Sequence, residues 1–317
     1  MARPRQRWSS DVGALFLSGG RLSTLALLEV LGSVDELTLF SIFVKTLAYC
    51  TTLVAAGSAL VIVVLKSIDS ATKKTMRWVA VGAAFLAALF SASRVPIRAS
   101  FLDGGTWAGA IDPVLLELVM QSPLGTSVAL RLAGLVLLLA LVSPGLVPKW
   151  ISAAGAVVAC ASFAFRGHAL EDPRLMLSIL VSVHLVGLAF WIGALGPLHW
   201  LSVRTTQVAD VAREFGEKAV WIVGLLVMAG IVALILLTGG KLATLETAYG
   251  QFFAVKLSVF VAVLGLAAWN RFRLTPMLLA GDELAGKRLR GSIRIESLLI
   301  VAVLLVTAAL TTTSSPA

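Results

Sequence analysis

The sequence predicts an all-α, polytopic integral membrane protein: a bundle of about eight transmembrane helices, preceded by a helix lying at the interface. Three observations carry that prediction. Hydrophobic residues make up 58% of the 317-residue chain and charged ones 14%, with a mean hydropathy of +0.95, whereas about a quarter of a soluble domain is charged. Apolar windows recur at 38–65, 77–93, 126–143, 149–166, 175–200, 219–238, 251–270 and 295–312, and about 20 helical residues cross a ~30 Å hydrocarbon core. The net charge of +9 sits in short segments between those windows. A nucleic-acid partner needs a basic face on a folded soluble domain, so none is expected, and membrane lipid is the surrounding partner.

Taken in order, the elements begin with a basic stretch, MARPRQRW, followed by a run that Arg21 and Glu29 interrupt. A cleaved signal peptide needs an uninterrupted apolar core and a small-residue cleavage site, so none is read here. Residues 12–34 are expected as an amphipathic interfacial helix within a separate 1–36 segment. Residues 37–145 then form a unit of three spans, and 146–317 a second unit of five. The windows 77–93 and 126–143 are short and need help from their flanks or from a thinned bilayer. Between them, RVPIRASFLDGGTWAGAIDPVLLELVMQSPLGTS predicts a surface helix after Pro113, with Asp112 as its cap and Pro113 at its first position.

Basic residues collect in alternate connections. The set 66–77, 143–150, 201–218 and 271–294 holds fourteen of them, including Lys73, Lys149, Arg213, Arg271 and Arg288, whereas the opposite set holds Arg94, Arg98, Arg166, Arg174 and Lys241. Positive loops stay in the cytoplasm, which puts the connections 94–125 and 167–174 on the opposite, periplasmic side. Eight spans would leave the basic N-terminus outside, and a further span at 12–34 would remove that conflict. Cys50 and Cys160 lie far apart in apolar runs, so no disulfide framework is expected.

Ionisable groups inside a span are costly and mark partners, cavities or ligands. Here they are Lys45, Arg131, His184 and Lys256, with Asn270 and Glu296 near the inner ends. His184 stands ten residues into its helix, about 15 Å down at 1.5 Å per residue. Gly187 and Trp191 follow at i+3 and i+7 on the same face. A glycine there leaves room for something flat or for a close backbone. His184 is either packing glue between helices or a ligand for a metal ion or haem iron.

His168, near Glu171 and Asp172, is either a solvated loop residue or the first ligand for a cation arriving from outside. His199, beside Trp200, is an interfacial anchor or part of an exit route. A soft ion such as Cu(I) takes sulfur and imidazole; Cys160, Met176 and Met228 offer sulfur, though each alone is an ordinary packing residue. There is no Met-x-x-Met, Cys-x-x-Cys or His-rich tract, and no phosphate-cradling glycine loop, so neither tight metal sequestration nor ATP hydrolysis is expected. No enzyme activity is expected either. Glu296 is the best counter-ion for the buried cations, although Lys256 stands about four turns from its level. Buried Lys and Arg also suit an anionic group such as a haem propionate.

At this point the motifs resemble a known family. GHA, containing His168, is followed sixteen residues later by HLVGLAFWIGALGPL. This is similar to the Gly-His pair and His-x(6)-Trp-x-Gly-x-Leu-x-Pro-Leu helix of the CopD family of copper-resistance inner-membrane proteins. YGQFFAVKLSVFVAVLGLAAWNRFRLTP carries Tyr249, Gly250, Lys256, Asn270, Arg271 and Pro276 as that family does; LRGSIRIE ends on Glu296, and IDPVLLELVMQSPLGTSVALR leads to Arg131. The resemblance spans most of 38–313. It implies a multi-pass protein of the bacterial cytoplasmic membrane that serves copper homeostasis by moving copper ion from periplasm to cytoplasm without ATP, with His168 and His184 as its working residues. Few methionines are present, which leaves the copper ligands under-specified.

The last four helices are also similar to HemJ-type membrane protoporphyrinogen oxidases, which share the His-x(6)-Trp-x-Gly helix and bind haem b. That likeness implies an alternative in which His184 is an axial ligand, beside Gly187, Trp191 and Lys256, in an oxidoreductase or electron-transfer protein. A third reading is a scaffold on which a periplasmic copper-binding protein docks at 94–125.

Overall fold

The computed structural model describes residues 35–165, 173–202, 205–238 and 248–313, with the backbone alone described for 205–206, 233–234, 236–238, 248–257, 283, 310 and 313. Every regular element among them is a helix. The interfacial helix expected at 12–34 and the connection holding His168 lie outside the described residues.

Helix α1 (Glu36–Val64) starts where the Asp35 carboxylate accepts from the Thr38 backbone N–H at 3.2 Å, satisfying one of the orphan donors of a first turn. Asp69 does the same for α2 (Ser70–Ala92), at 2.7 Å from Thr72 N. Three short helices follow: α3 (Arg94–Leu102), α4 (Trp107–Ile111) and α5 (Pro113–Met120). Asp112 caps α5 by accepting from Val114 and Leu115 N–H, with Pro113 at the first position, as the sequence predicts. Helix α6 (Pro123–Leu138) runs on as a 3-10 turn to Val142, and α7 (Leu146–Ala161) as one to Phe165. The second half comprises α8 (Arg174–Leu201), α9 (Thr205–Thr238), α10 (Ala248–Trp269), a π turn at Asn270–Leu274, α11 (Thr275–Leu279) and α12 (Glu283–Thr313).

Among the described residues seven stretches are long and apolar enough to cross a membrane: Glu36–Val64, Ser70–Leu102, Pro123–Val142, Leu146–Phe165, Arg174–Leu201, Gln207–Val232 and Leu284–Ala309. The eighth window, 251–270, coincides with α10. The protein is an all-α, multi-pass membrane protein. The two short windows gain length differently from what thinning would require. The second extends back to Ser70 and, across Ser93 in the right-handed α region, forward through α3. Pro96 does not stop it, because a proline in a first turn lacks only an N–H that has no helical partner there. Thus the first nine residues of the expected 94–125 connection belong to a helix.

Helix α1 is the pivot of the bundle, packed against α2, α7, α8 and α12. Its crossing with α8 brings backbones together: a Cβ built on Gly57 would lie 1.9 Å from the Ala189 carbonyl oxygen, and one on Gly193 2.2 Å from Gly57. A second small-residue crossing joins α6 and α7, where a Cβ on Gly134 would lie 2.5 Å from Ala159 N. Such close approach supplies packing where lipid offers no hydrophobic drive between helices.

At one end of the bundle the basic connections meet. The Glu214 carboxylate, on α9, accepts from Lys66 N, Ser67 N and Ser67 Oγ at 2.6–3.0 Å, and pairs with Lys218 at 3.3 Å. One acidic side chain thereby ties the α1–α2 turn to α9.

Candidate functional site

The polar residues expected inside the membrane fall into two separate groups. The first surrounds Arg131 on α6, which is fully buried. Its Nε donates to Ser162 Oγ at 3.0 Å, and its two terminal nitrogens to Ser91 Oγ at 3.4 Å and Ser127 Oγ at 3.2 Å. The guanidinium carbon stands 3.7 Å from the centre of the Phe163 ring. Ser127 and Ser162 in turn donate to the carbonyls of Ser162 and Ala159. Three hydroxyls and one aromatic face therefore hold this cation, rather than a carboxylate, among the described residues. Cys160, also fully buried, lies at the nearby C-terminal end of α7. The serines were not singled out from the sequence, because serines and threonines recur along these helices and nothing local sets these three apart.

The second group lies towards the basic end. Trp191 on α8 and Glu296 on α12 are 5% and 2% exposed, and the Trp191 indole N–H donates to Glu296 Oε1. Phe215 of α9 packs edge-on to Trp191 with centroids 5.7 Å apart and stacks on Phe190 at 6.0 Å. These residues border a cavity of about 300 Å³ that is also lined by Asn270, Arg271 and Phe272. Asn270 Oδ1 is buried there without a hydrogen-bond partner. The π turn places Asn270 and Arg271 at the end of α10, with Thr275 Oγ1 donating to the Asn270 carbonyl at 2.9 Å; such local widening recurs at functional positions. Gly216 gives Arg271 its room, since a Cβ there would lie 2.7 Å from a guanidinium nitrogen. Phe215 was missed because one more phenylalanine in an apolar helix carries no distinguishing signal.

His184 stands on the same stripe of α8 seven residues before Trp191, about 10 Å further from the basic end. It is exposed on the protein surface. The space at Gly187 is filled: a Cβ there would sit 3.1 Å from Ile222 and 3.2 Å from Leu226 of α9. The glycine thus serves close packing of α9, and the room for a flat ligand is absent. The described residues around Gly187 lend haem b no support.

Lys45 is buried on α1 and donates to Thr312 Oγ1 of α12 at 3.1 Å. His199, half-buried, borders a groove of about 630 Å³ between α1, α2, α8 and α12 together with Cys50, Met76 and Arg294. Met176 and Met228 are exposed on α8 and α9, 44% and 59%, whereas Cys160 is sealed in α7, so these sulfurs are not gathered round one centre. Among the described residues no three of His, Cys, Asp and Glu converge. The Lys256 side chain and His168 lie outside the described residues.

Comparison with known proteins matches the two halves of the bundle to two models of one family: the copper resistance protein D-like N-terminal domain over residues 36–175 and copper resistance protein D over 209–310. The chain is similar to copper transport protein CutJ of Bacillus subtilis, 28% identical over 191 residues that cover 55% of the chain and 35% of that protein. It is also similar to copper resistance protein D of Pseudomonas syringae pv. tomato, 29% identical over 211 residues covering 61% of the chain and 67% of that relative. No solved structure matches significantly. The two family models together match this multi-pass bundle along most of its length. The chain belongs to the copper resistance protein D family.

Proposed function

We propose that the protein carries copper across the bacterial cytoplasmic membrane, from periplasm to cytoplasm, without ATP. The observation that supports this reading most directly is the single stripe of α8 that holds His184 at mid-depth and, two turns on, Trp191 bonded to the buried Glu296. Neutral imidazole is a good copper ligand, and His184 stands exposed on a spanning helix. The positively charged connections, kept cytoplasmic by the general orientation rule, repel a cation and favour its departure rather than its retention. His168, in the opposite connection, is the proposed receiving ligand. His199, near the basic end, is assigned a supporting place on the exit side.

Cellular copper accumulation in a His184→Ala strain at matched protein level tests the reading. Uptake is expected to fall at least several-fold towards the level of a strain lacking the protein. Accumulation unchanged from wild type overturns it.

A further inference from the structure

We propose that the groove between α1, α2, α8 and α12 holds one anionic phospholipid of the leaflet at the basic end, its phosphate on Arg294 and Arg290 and an acyl chain along the groove wall. The site is separate from the Trp191–Glu296 cavity and does not depend on the transport reading. Its shape comes from helical spacing. On α1, Cys50, Val54 and Ser58 follow one another at i+4 and share a stripe, and on α12 Arg294, Leu298, Val301 and Leu304 form another. Gly193 and Gly196 of α8 add backbone to the lining but no side chain. Leu298 and Val301 are exposed, so the wall opens to the surrounding lipid. The ten residues from Arg294 to Leu304 rise about 15 Å, half of a ~30 Å hydrocarbon core and so the depth of one leaflet.

Charge decides which lipid fits. Among the described residues the lining carries Arg294 and no carboxylate. Arg294 is exposed and makes no ion pair or hydrogen bond among them. One turn nearer the basic end, Arg290 donates through Nε to Ser202 Oγ at 3.1 Å, which leaves both terminal nitrogens unused among the same residues. Both arginines lie near enough to act electrostatically on His199, which borders the groove, so three groups able to carry positive charge gather at one end of it. Trp200 lines the same end, and an indole at the end of a spanning helix sits at headgroup level. Basic pockets between spanning helices take acidic headgroups, and the planar guanidinium fork matches phosphate oxygens in pairs.

The two parts of the groove select together. A zwitterionic phospholipid covers the apolar wall but brings a second cation to the arginines. A free phosphate satisfies the arginines and leaves the wall uncovered. An anionic phospholipid does both.

Delipidated protein in detergent, titrated with phosphatidylglycerol or with phosphatidylcholine of the same chains, tests this by native mass spectrometry. Wild type is expected to hold one phosphatidylglycerol about 25-fold more tightly than phosphatidylcholine, from two arginines at about fivefold each. Arg294→Gln is expected to lower that preference about fivefold, and Arg290→Gln combined with it to abolish the preference. Arg294→Lys, which keeps the charge, is expected to keep most of it and so separates a lost charge from a lost fold. Val301→Trp, which fills the groove without altering charge, is expected to weaken both lipids. Ile295→Trp, on the exposed face of α12 outside the lining, is expected to leave both unchanged. Equal binding of the two lipids by wild type, a preference that survives in the double variant, or binding indifferent to Val301→Trp overturns the proposal. Inorganic phosphate that displaces the lipid where chloride of equal ionic strength does not would reveal a free-anion site and overturn it as well.

Discussion

Gly57 and Gly193 show what a single atom decides in this bundle. A β-carbon at either position collides with the backbone of the facing helix, and both groups belong to elements that cannot yield locally. Gly193→Ala is therefore expected to force α1 and α8 apart at a cost of about 1–3 kcal/mol, read as a lower melting temperature in detergent. Gly82 on α2 has nothing within 4 Å of the same added atom. There the substitution is expected to be neutral or to stabilise by up to about 1 kcal/mol, because alanine forms helix better. Opposite signs in one assay check the crossing. At this scale the sequence is legible for depth but not for direction. Counting residues along α8 places His184 and Trp191 on one stripe, yet the first is exposed and the second buried. The difference comes from partners on α9 and α12, whose sequence distance from α8 hides them.

At the level of elements, capping residues are legible and the ties between helices are not. Asp112 starts its helix by local hydrogen bonds, so sequence spacing revealed it; Asp35 and Asp69 start theirs in the same way, although only the structure picked them out. Glu214 reaches 147 residues back to Ser67, and no local pattern announces that. Glu214→Ala removes the acceptor for two backbone N–H groups and a hydroxyl. Hydrogen exchange at Lys66 and Ser67 is expected to quicken by roughly 10- to 30-fold, corresponding to about 2 kcal/mol of local opening, while the spanning helices keep their protection. Equal loss of protection throughout the bundle would show instead that this turn is part of the global folding unit. The expected connection after α2 was misjudged for a related reason. A proline reads as punctuation in sequence, but in the first turn of α3 it costs the helix nothing.

For the whole molecule, the proposed orientation follows from the charge asymmetry of its connections and is testable by labelling. With Cys50 and Cys160 replaced, Ala108→Cys on α4 is expected to react with an impermeant maleimide on intact spheroplasts. Ala280→Cys, before α12, is expected to react only after permeabilisation. The reverse pattern overturns the direction assigned to copper transport. Composition and hydropathy were sufficient to determine the all-α, membrane-spanning class, since hydrocarbon permits only backbones that satisfy their own hydrogen bonds. The motifs along the chain likewise pointed to the copper-resistance family before any fold was known. Only the tertiary structure decided that Arg131 rests among three serines, that Trp191 meets Glu296, and that Asn270 Oδ1 waits in the same cavity without a partner. Period and hydropathy record how each residue is solvated along its own helix. Which helices face one another is set by long-range packing, and the chemistry of the site is made there.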